Sequence, residues 1–220
     1  MTDLLAQFDY LKQFLTPERL EKIEQKSHES SDFVLPIMED VYQFRNAAAI
    51  VRSAEACAFH KIVALESKNV FEPNLQVTKG ADTWVEVQKQ PHDLKTLEKI
   101  KAQGYRLVAV SPENNATSLP DFHITQPVAL VFGTEWQGVT DNFLDYCDET
   151  LAIPMYGFTQ SLNVSVAAAL CMYDLKQKLI RSGIDYQLNE EKRLQLMIRW
   201  AVNSIRSGQE IFDAYLNSLT

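Results

Sequence analysis

Apolar and polar positions follow two periods along the chain, and the places where one gives way to the other set the order of elements. Phe33 to Met38, Lys61 to Glu66, Arg106 to Ser111, Val128 to Phe132 and Leu151 to Met155 are short apolar runs typical of buried strands. Pro154 forbids a helix through the last of them. Helical spacing appears between the runs: from Asn46 to Ala58, from 93 to 103 with Gly104 as a stop, and from Ser161 to Arg181 before Gly183. In the last segment Leu162, Val166, Ala169, Leu170 and Tyr173 recur on one side, with Ser161 as the expected cap. Lys79-Gly80-Ala81 predicts a turn into a further strand from Trp84 to Val87, and Glu113 to Asp121 reads as loop. Strands alternating with helices predict an α/β fold, a mostly parallel sheet with helices on both faces.

The two ends of the chain are helical without strands. Residues 3–27 predict two short helices, the first with Leu4, Leu5, Phe8, Leu11, Phe14 and Leu15 on one face, the second opened by Thr16-Pro17-Glu18. His28 to Asp32 reads as a linker. Glu190 to Ser207 places Leu194, Met197, Ile198, Ala201 and Ile205 inward and Lys192, Arg199 and Arg206 at heptad spacing on one stripe; Gln209 to Leu219 is a final helix. The expected division is an N-terminal helical extension over 1–30, a main domain over 31–182 and a C-terminal helical extension over 183–220.

Composition changes this picture little. A chain of 220 residues with 46% hydrophobic residues has room for one substantial domain with appendages. The N-terminus carries Asp3 and Asp9 where a signal peptide needs positive charge, and no apolar stretch is long enough to cross a bilayer, so the expectation is a cytoplasmic protein away from membranes. Cys57, Cys147 and Cys171 are far apart in apolar surroundings and read as reduced core thiols, while His28, His60, His92 and His123 are scattered, so no metal is expected.

The net charge of −8 opposes non-specific coating of nucleic acid. Charge is nevertheless uneven. Between Leu175 and Ser207 the bases Lys176, Lys178, Arg181, Lys192, Arg193, Arg199 and Arg206 outnumber Asp185, Glu190 and Glu191. The Lys192/Arg199/Arg206 stripe is open to two readings, a solvated face or contact with RNA phosphates.

Three stretches carry candidate chemistry. Asn46, Ala49 and Arg52 are three apart on one helix, in the pattern N-x-x-A-x-x-R. After the run ending at Phe132 comes Gly133-Thr-Glu135-Trp-Gln-Gly138, whose glycines permit tight turns and whose acid sits at a strand's carboxyl end, where α/β folds place ligands. Third is IPMYGFTQSLNVSVAAAL, residues 153–170, dense in polar groups at a helix start beside small residues. The early glycine-rich loop of a Rossmann fold is missing, and the informative glycines are late.

The third stretch resembles the third motif of the SpoU (TrmH) family of RNA ribose 2′-O-methyltransferases, in the SPOUT superfamily. Asn46 and Arg52 match its first motif and the Gly133–Gly138 loop its second, in the family's order; Ala58 departs from the glycine many relatives carry before the next strand. The resemblance implies a C-terminal trefoil knot, S-adenosylmethionine as cofactor, and a homodimer whose site is shared across subunits. It implies that Val110, Gly133, Ile153, Met155 and Leu162 hold the cofactor, mostly through backbone groups. Arg52 would be the catalytic arginine, Asn46 and Glu135 would support it and the nucleotide, and Ser161 and Asn163 would order the loop and RNA contacts. A guanidinium stays protonated, which favours phosphate or alkoxide contact by Arg52 over a role as base. Within the family, the short helical extensions resemble the transfer-RNA enzymes that methylate guanosine 18 of the D-loop. The alternatives are a ribosomal-RNA 2′-O-methyltransferase, or a non-catalytic RNA- or cofactor-binding protein of the same fold.

Overall fold

The computed structural model describes residues 2–67, 80–113, 115–134 and 136–219. They group into two compact units, Asp32–Tyr186 and a helical one combining Met1–Ser31 with Gln187–Thr220.

The larger unit is built on a parallel sheet. Its strands are β1 (Val34–Glu39), β2 (Lys61–Glu66), β3 (Glu86–Pro91), β4 (Arg106–Val110), β5 (Thr117–Ser118), β6 (Val128–Phe132) and β7 (Glu149–Ala152). They pair in the order β3-β2-β1-β6-β4-β7-β5, every described pair parallel. β1 and β6 sit centrally in register, Ile37 opposite Val131 and Met38 opposite Phe132, and are buried throughout, which is why they read as unbroken apolar runs. The helices are α3 (Phe44–Ala56), α4 (Leu94–Ala102), the short α5 (Asp141–Tyr146) and α6 (Val164–Ser182). Two apolar clusters cover the sheet. One contains Ile50, Val51, Phe59, Met172 and Leu175; the other contains Leu97, Ile100, Val139 and Phe143.

β7 lies between β4 and β5, which are neighbours in sequence. Polar bonds fix β7 in that slot. Glu149 accepts from Thr117 Oγ1 at 2.7 Å and pairs with Arg106 at 3.2 Å, and Asp148 accepts from the Leu107 N–H at 2.9 Å.

The helical unit contains α1 (Thr2–Lys12), α2 (Pro17–Glu29), α7 (Glu190–Ser204) and α8 (Gly208–Ser218). α7 packs on α1, α2 and α8, burying Leu194, Met197, Ile198 and Trp200 beside Phe8, Leu11 and Ile23, and Tyr10 stacks on Tyr215. Thr16 caps α2 through the Arg19 N–H, with Pro17 in the first turn, as its sequence predicts.

Several boundaries differ from the sequence reading. β7 ends at Ala152, short of Met155, with Ile153 and Pro154 outside the ladder. The long helix begins at Val164 rather than Ser161, because Asn163, not Ser161, caps it. The strand expected over 84–87 starts at Glu86, since the Trp84 and Val85 N–H groups are taken by Ala81 O in a 3₁₀ turn. The presumed loop 113–121 contains β5 and a second 3₁₀ turn. The expected linker His28 to Asp32 is partly helix, α2 running to Glu29. Arg206 falls beyond the end of α7, where Ile205 is extended, so the basic stripe does not continue as one helical face. Lys79 and Glu135 lie outside the described residues.

Ala58 sits at φ +58°. It occupies the left-handed position of a helix-ending motif, with Phe59 N–H donating to Ala54 O and Ala58 N–H to Glu55 O, both at 2.9 Å. The turn that usually takes glycine is therefore kept, with alanine in it.

Candidate active site

The carboxyl ends of β4, β6 and β7 open into a cleft of about 570 Å³. Val110 ends β4, Gly133 follows β6, and Ile153, Met155 and Leu162 come from the segment leaving β7; all five residues expected to hold a cofactor line this cleft. Its volume is that of a small-molecule site. Its walls are mixed: Leu151, Ile153, Met155 and Leu162 are apolar, while Gln43, Ser111, Thr134, Gln160, Ser161 and Asn163 bring polar groups.

Two local structures shape the cleft. The first is the hairpin after β6. Thr134 and Gly138 exchange backbone bonds at 2.9 and 3.0 Å, and Gly138 adopts φ +69°. A Cβ on Gly133 would lie 2.0 Å from Gly138 backbone atoms, so only glycine lets the two ends of the hairpin meet.

The second is the start of α6. Asn163 Oδ1 accepts from the Ser165 N–H at 2.8 Å and hydroxyl at 2.6 Å, and its Nδ2 donates to Asn46 Oδ1 at 3.1 Å. Asn46 is buried on α3 and its Nδ2 lies 3.4 Å from Gln43 Oε1. One residue thus caps α6 and ties it to α3. Ser161 lies two residues before that cap, exposed, on the cleft wall.

Arg52 is not on this wall. It is exposed on α3 and lines a second hollow of about 540 Å³ with Ala49, Ser53, Gly80 and Trp84. The chain brings Ser161, Asn163 and the five expected cofactor positions around one cleft, holds Asn46 behind Asn163, and leaves Arg52 lining another hollow. Lys192, Arg199 and Arg206 belong to the helical unit, with Lys192 and Arg206 exposed and Arg199 half-buried. Among the described residues no group of three or more His, Cys, Asp or Glu is arranged to hold a metal, and no helix is long and apolar enough to cross a membrane.

Gln43 and Thr134, on the cleft wall, were not singled out from the sequence, and neither were Glu39 and Thr140 behind it. A signal existed for Glu39, an acid ending the apolar run Val34-Leu-Pro-Ile-Met38, and for Thr140, a cap residue before Asp141.

Residues 34–173 match the model of the SpoU rRNA Methylase family. The chain belongs to that family. Among SpoU methylases, a tRNA (guanosine(18)-2′-O)-methyltransferase of Borreliella burgdorferi is 33% identical, over 95% of this chain and 96% of its own length. An Aquifex aeolicus protein of the same name is 26% identical over 86% and 90%. The crystal structure of the A. aeolicus TrmH/SpoU tRNA modifying enzyme superimposes with a TM-score of 0.79, covering 86% of this chain and 98% of that one. The SpoU methyltransferase AviRb of Streptomyces viridochromogenes, in complex with AdoMet, shares the fold with a TM-score of 0.62 at 24% identity, covering 71% and 62%.

Proposed function

We propose that the protein transfers a methyl group from S-adenosylmethionine to the ribose 2′-hydroxyl of guanosine 18 in the D-loop of transfer RNA. The observation that carries this reading is the cleft at the ends of β4, β6 and β7, walled by the second and third motifs of a methylase family. The Borreliella burgdorferi relative, similar from end to end and named for guanosine 18, supports the choice of RNA over a ribosomal target.

The cleft residues fit the cofactor. A 570 Å³ space with apolar side chains on one wall and backbone and amide groups on another suits a ligand that is part heterocycle, part amino acid. The bound cofactor supplies an electrophilic methyl on a sulfonium. The chain holds and aligns: Gly133, Ile153 and Leu162 would present backbone groups, and Met155 would cover the apolar part. Asn163, locked by Ser165 and Asn46, keeps the loop before α6 in one shape, which favours in-line approach of the acceptor oxygen. Arg52 stays protonated and would neutralise the phosphate or the alkoxide that develops as the hydroxyl loses its proton. Glu135 is assigned to the same nucleotide contact, and Lys192, Arg199 and Arg206 to the RNA backbone.

Arg52 faces away from the cleft in the single chain, which supports a site completed by a second subunit in a homodimer. α6 offers a face for it. Val166, Leu170, Tyr173 and Ile180 recur along its outer side, Leu170 at 44% and Tyr173 at 63% exposed. The chain after β7 would form the trefoil knot of the superfamily, and the protein would work in the cytoplasm beside its RNA.

The test is methyl transfer from labelled cofactor to transfer RNA of a strain lacking the gene, with nuclease mapping. Label as 2′-O-methylguanosine in the D-loop is expected, abolished in Arg52→Ala with cofactor binding intact. Label in ribosomal RNA alone would replace the substrate, and cofactor binding without transfer to any RNA would overturn the enzyme.

A further inference from the structure

Glu39 is the last residue of β1 and its side chain is completely buried. A buried carboxylate persists only if its oxygens are matched by donors. Here they are. Thr140 donates twice, its N–H to Oε2 at 3.1 Å and its hydroxyl to Oε1 at 2.5 Å, and His92 Nε2 lies 2.9 Å from Oε1. His92 itself stacks on Phe143 of α5, ring centroids 4.6 Å apart.

The Thr140 hydroxyl is the informative atom. Thr140 stands at the N-cap of α5, where a threonine side chain ordinarily accepts from the first helical N–H groups. It makes no such bond. The hydroxyl is turned to Glu39 instead, so the chain gives up a local cap for a contact across 101 residues.

Thr140 also ends the hairpin that forms one wall of the cleft. Gly133, Thr134, Trp136, Gln137 and Gly138 all line that cleft, and the hairpin is closed at its neck by the Thr134–Gly138 bonds. One end of this segment continues from β6, deep in the sheet. The other end is held by Glu39. We infer that Glu39 and Thr140 are positioning residues for S-adenosylmethionine: the buried carboxylate pins the foot of the 133–139 hairpin and fixes the height at which it meets the cofactor. This assignment rests on the methyltransferase reading above. Neither residue lines the cleft, so the effect passes through the hairpin backbone.

The experiment compares wild type with Thr140→Val, Thr140→Ser and Glu39→Gln. Thr140→Val keeps size and the backbone N–H and removes only the hydroxyl, so it remains informative if Glu39→Gln does not fold. Cofactor binding is read by calorimetry and methyl transfer by steady-state kinetics on transfer RNA. Thr140→Val is expected to raise Kd and KM for S-adenosylmethionine at least fivefold, with kcat at saturating cofactor and KM for RNA within twofold of wild type. Thr140→Ser is expected to restore cofactor affinity to within twofold, and Glu39→Gln to weaken it at least as much as Thr140→Val. Variants that melt earlier yet bind the cofactor as wild type does would overturn the assignment and leave Glu39 a purely structural group. Wild type failing to bind the cofactor would overturn the methyltransferase reading, and this one with it.

Discussion

At the scale of single residues, the structure turns on atoms too close or too far to tolerate change. Gly133 has Gly138 backbone atoms 2.0 Å from where a Cβ would stand, so Gly133→Ala must open the hairpin neck. We expect it to lose at least tenfold in cofactor affinity by calorimetry while far-UV circular dichroism stays unchanged. Ala58 presents the opposite case. Left-handed backbone costs an alanine about 1–2 kcal/mol, part of which glycine gives back through the entropy of the unfolded chain, so Ala58→Gly should stabilise by about 0.5–1 kcal/mol in urea melts. Cys57 and Cys171 are buried thiols and Cys147 a half-buried one. Burial pushes Cys147 and Cys171 from an ordinary 9.0 up to about 12, and Cys57 is raised for the same reason. A folded pKa above the unfolded one means the folded state holds the proton longer. Their stabilising contribution is complete below about pH 9 and fades as pH climbs towards 12. In Ellman titrations at pH 8, all three should react far more slowly in the native protein than after unfolding in guanidinium.

Among the elements, α6 depends on one side chain at its start. Asn163→Ala removes both the cap and the link to Asn46 and should cost about 1–3 kcal/mol in urea unfolding. Asn163→Asp keeps the acceptor but not the donor, and is expected to recover part of that loss without recovering activity. The helix was legible in sequence from Val166, Leu170 and Tyr173, but its start was not. Ser161 and Asn163 are both good caps, and the choice fell to Asn163, whose amide also meets Asn46 across 117 residues. Local pattern carries no such distance. β5 escaped for a related reason. Thr117-Ser118 has no apolar period, and what makes it a strand is its pairing with Leu151 and Ala152. α5 is a single short helix of which only Phe143 is buried, too little to print a period. β1, β2 and β6 were legible because burial on both faces writes itself as a continuous apolar run. The five positions expected to hold the cofactor came from the family resemblance, not from any period, and the structure sets them around one cleft. The separation of Arg52 from the cleft was not legible, because it depends on which way α3 turns.

For the molecule as a whole, α6 is the test of assembly. Its inner side, Ala168, Cys171, Met172, Leu175 and Leu179, is in the core, while Leu170 and Tyr173 face outward. The proposed homodimer predicts that Leu170→Glu with Tyr173→Glu gives a monomer by light scattering and loses methyl transfer, because the proposed shared site would then lack the partner's Arg52. The place of β7 between β4 and β5 bears on something other than catalysis. A ribosome releases residues in order, and β5 emerges before β7, the strand that flanks it in the sheet. Until Glu149 to Ala152 have left the tunnel, that margin of the nascent protein has no partner to zip against. A stalled or prematurely ended message would therefore yield a product open at the β5 edge of its sheet, a natural target for quality-control proteases.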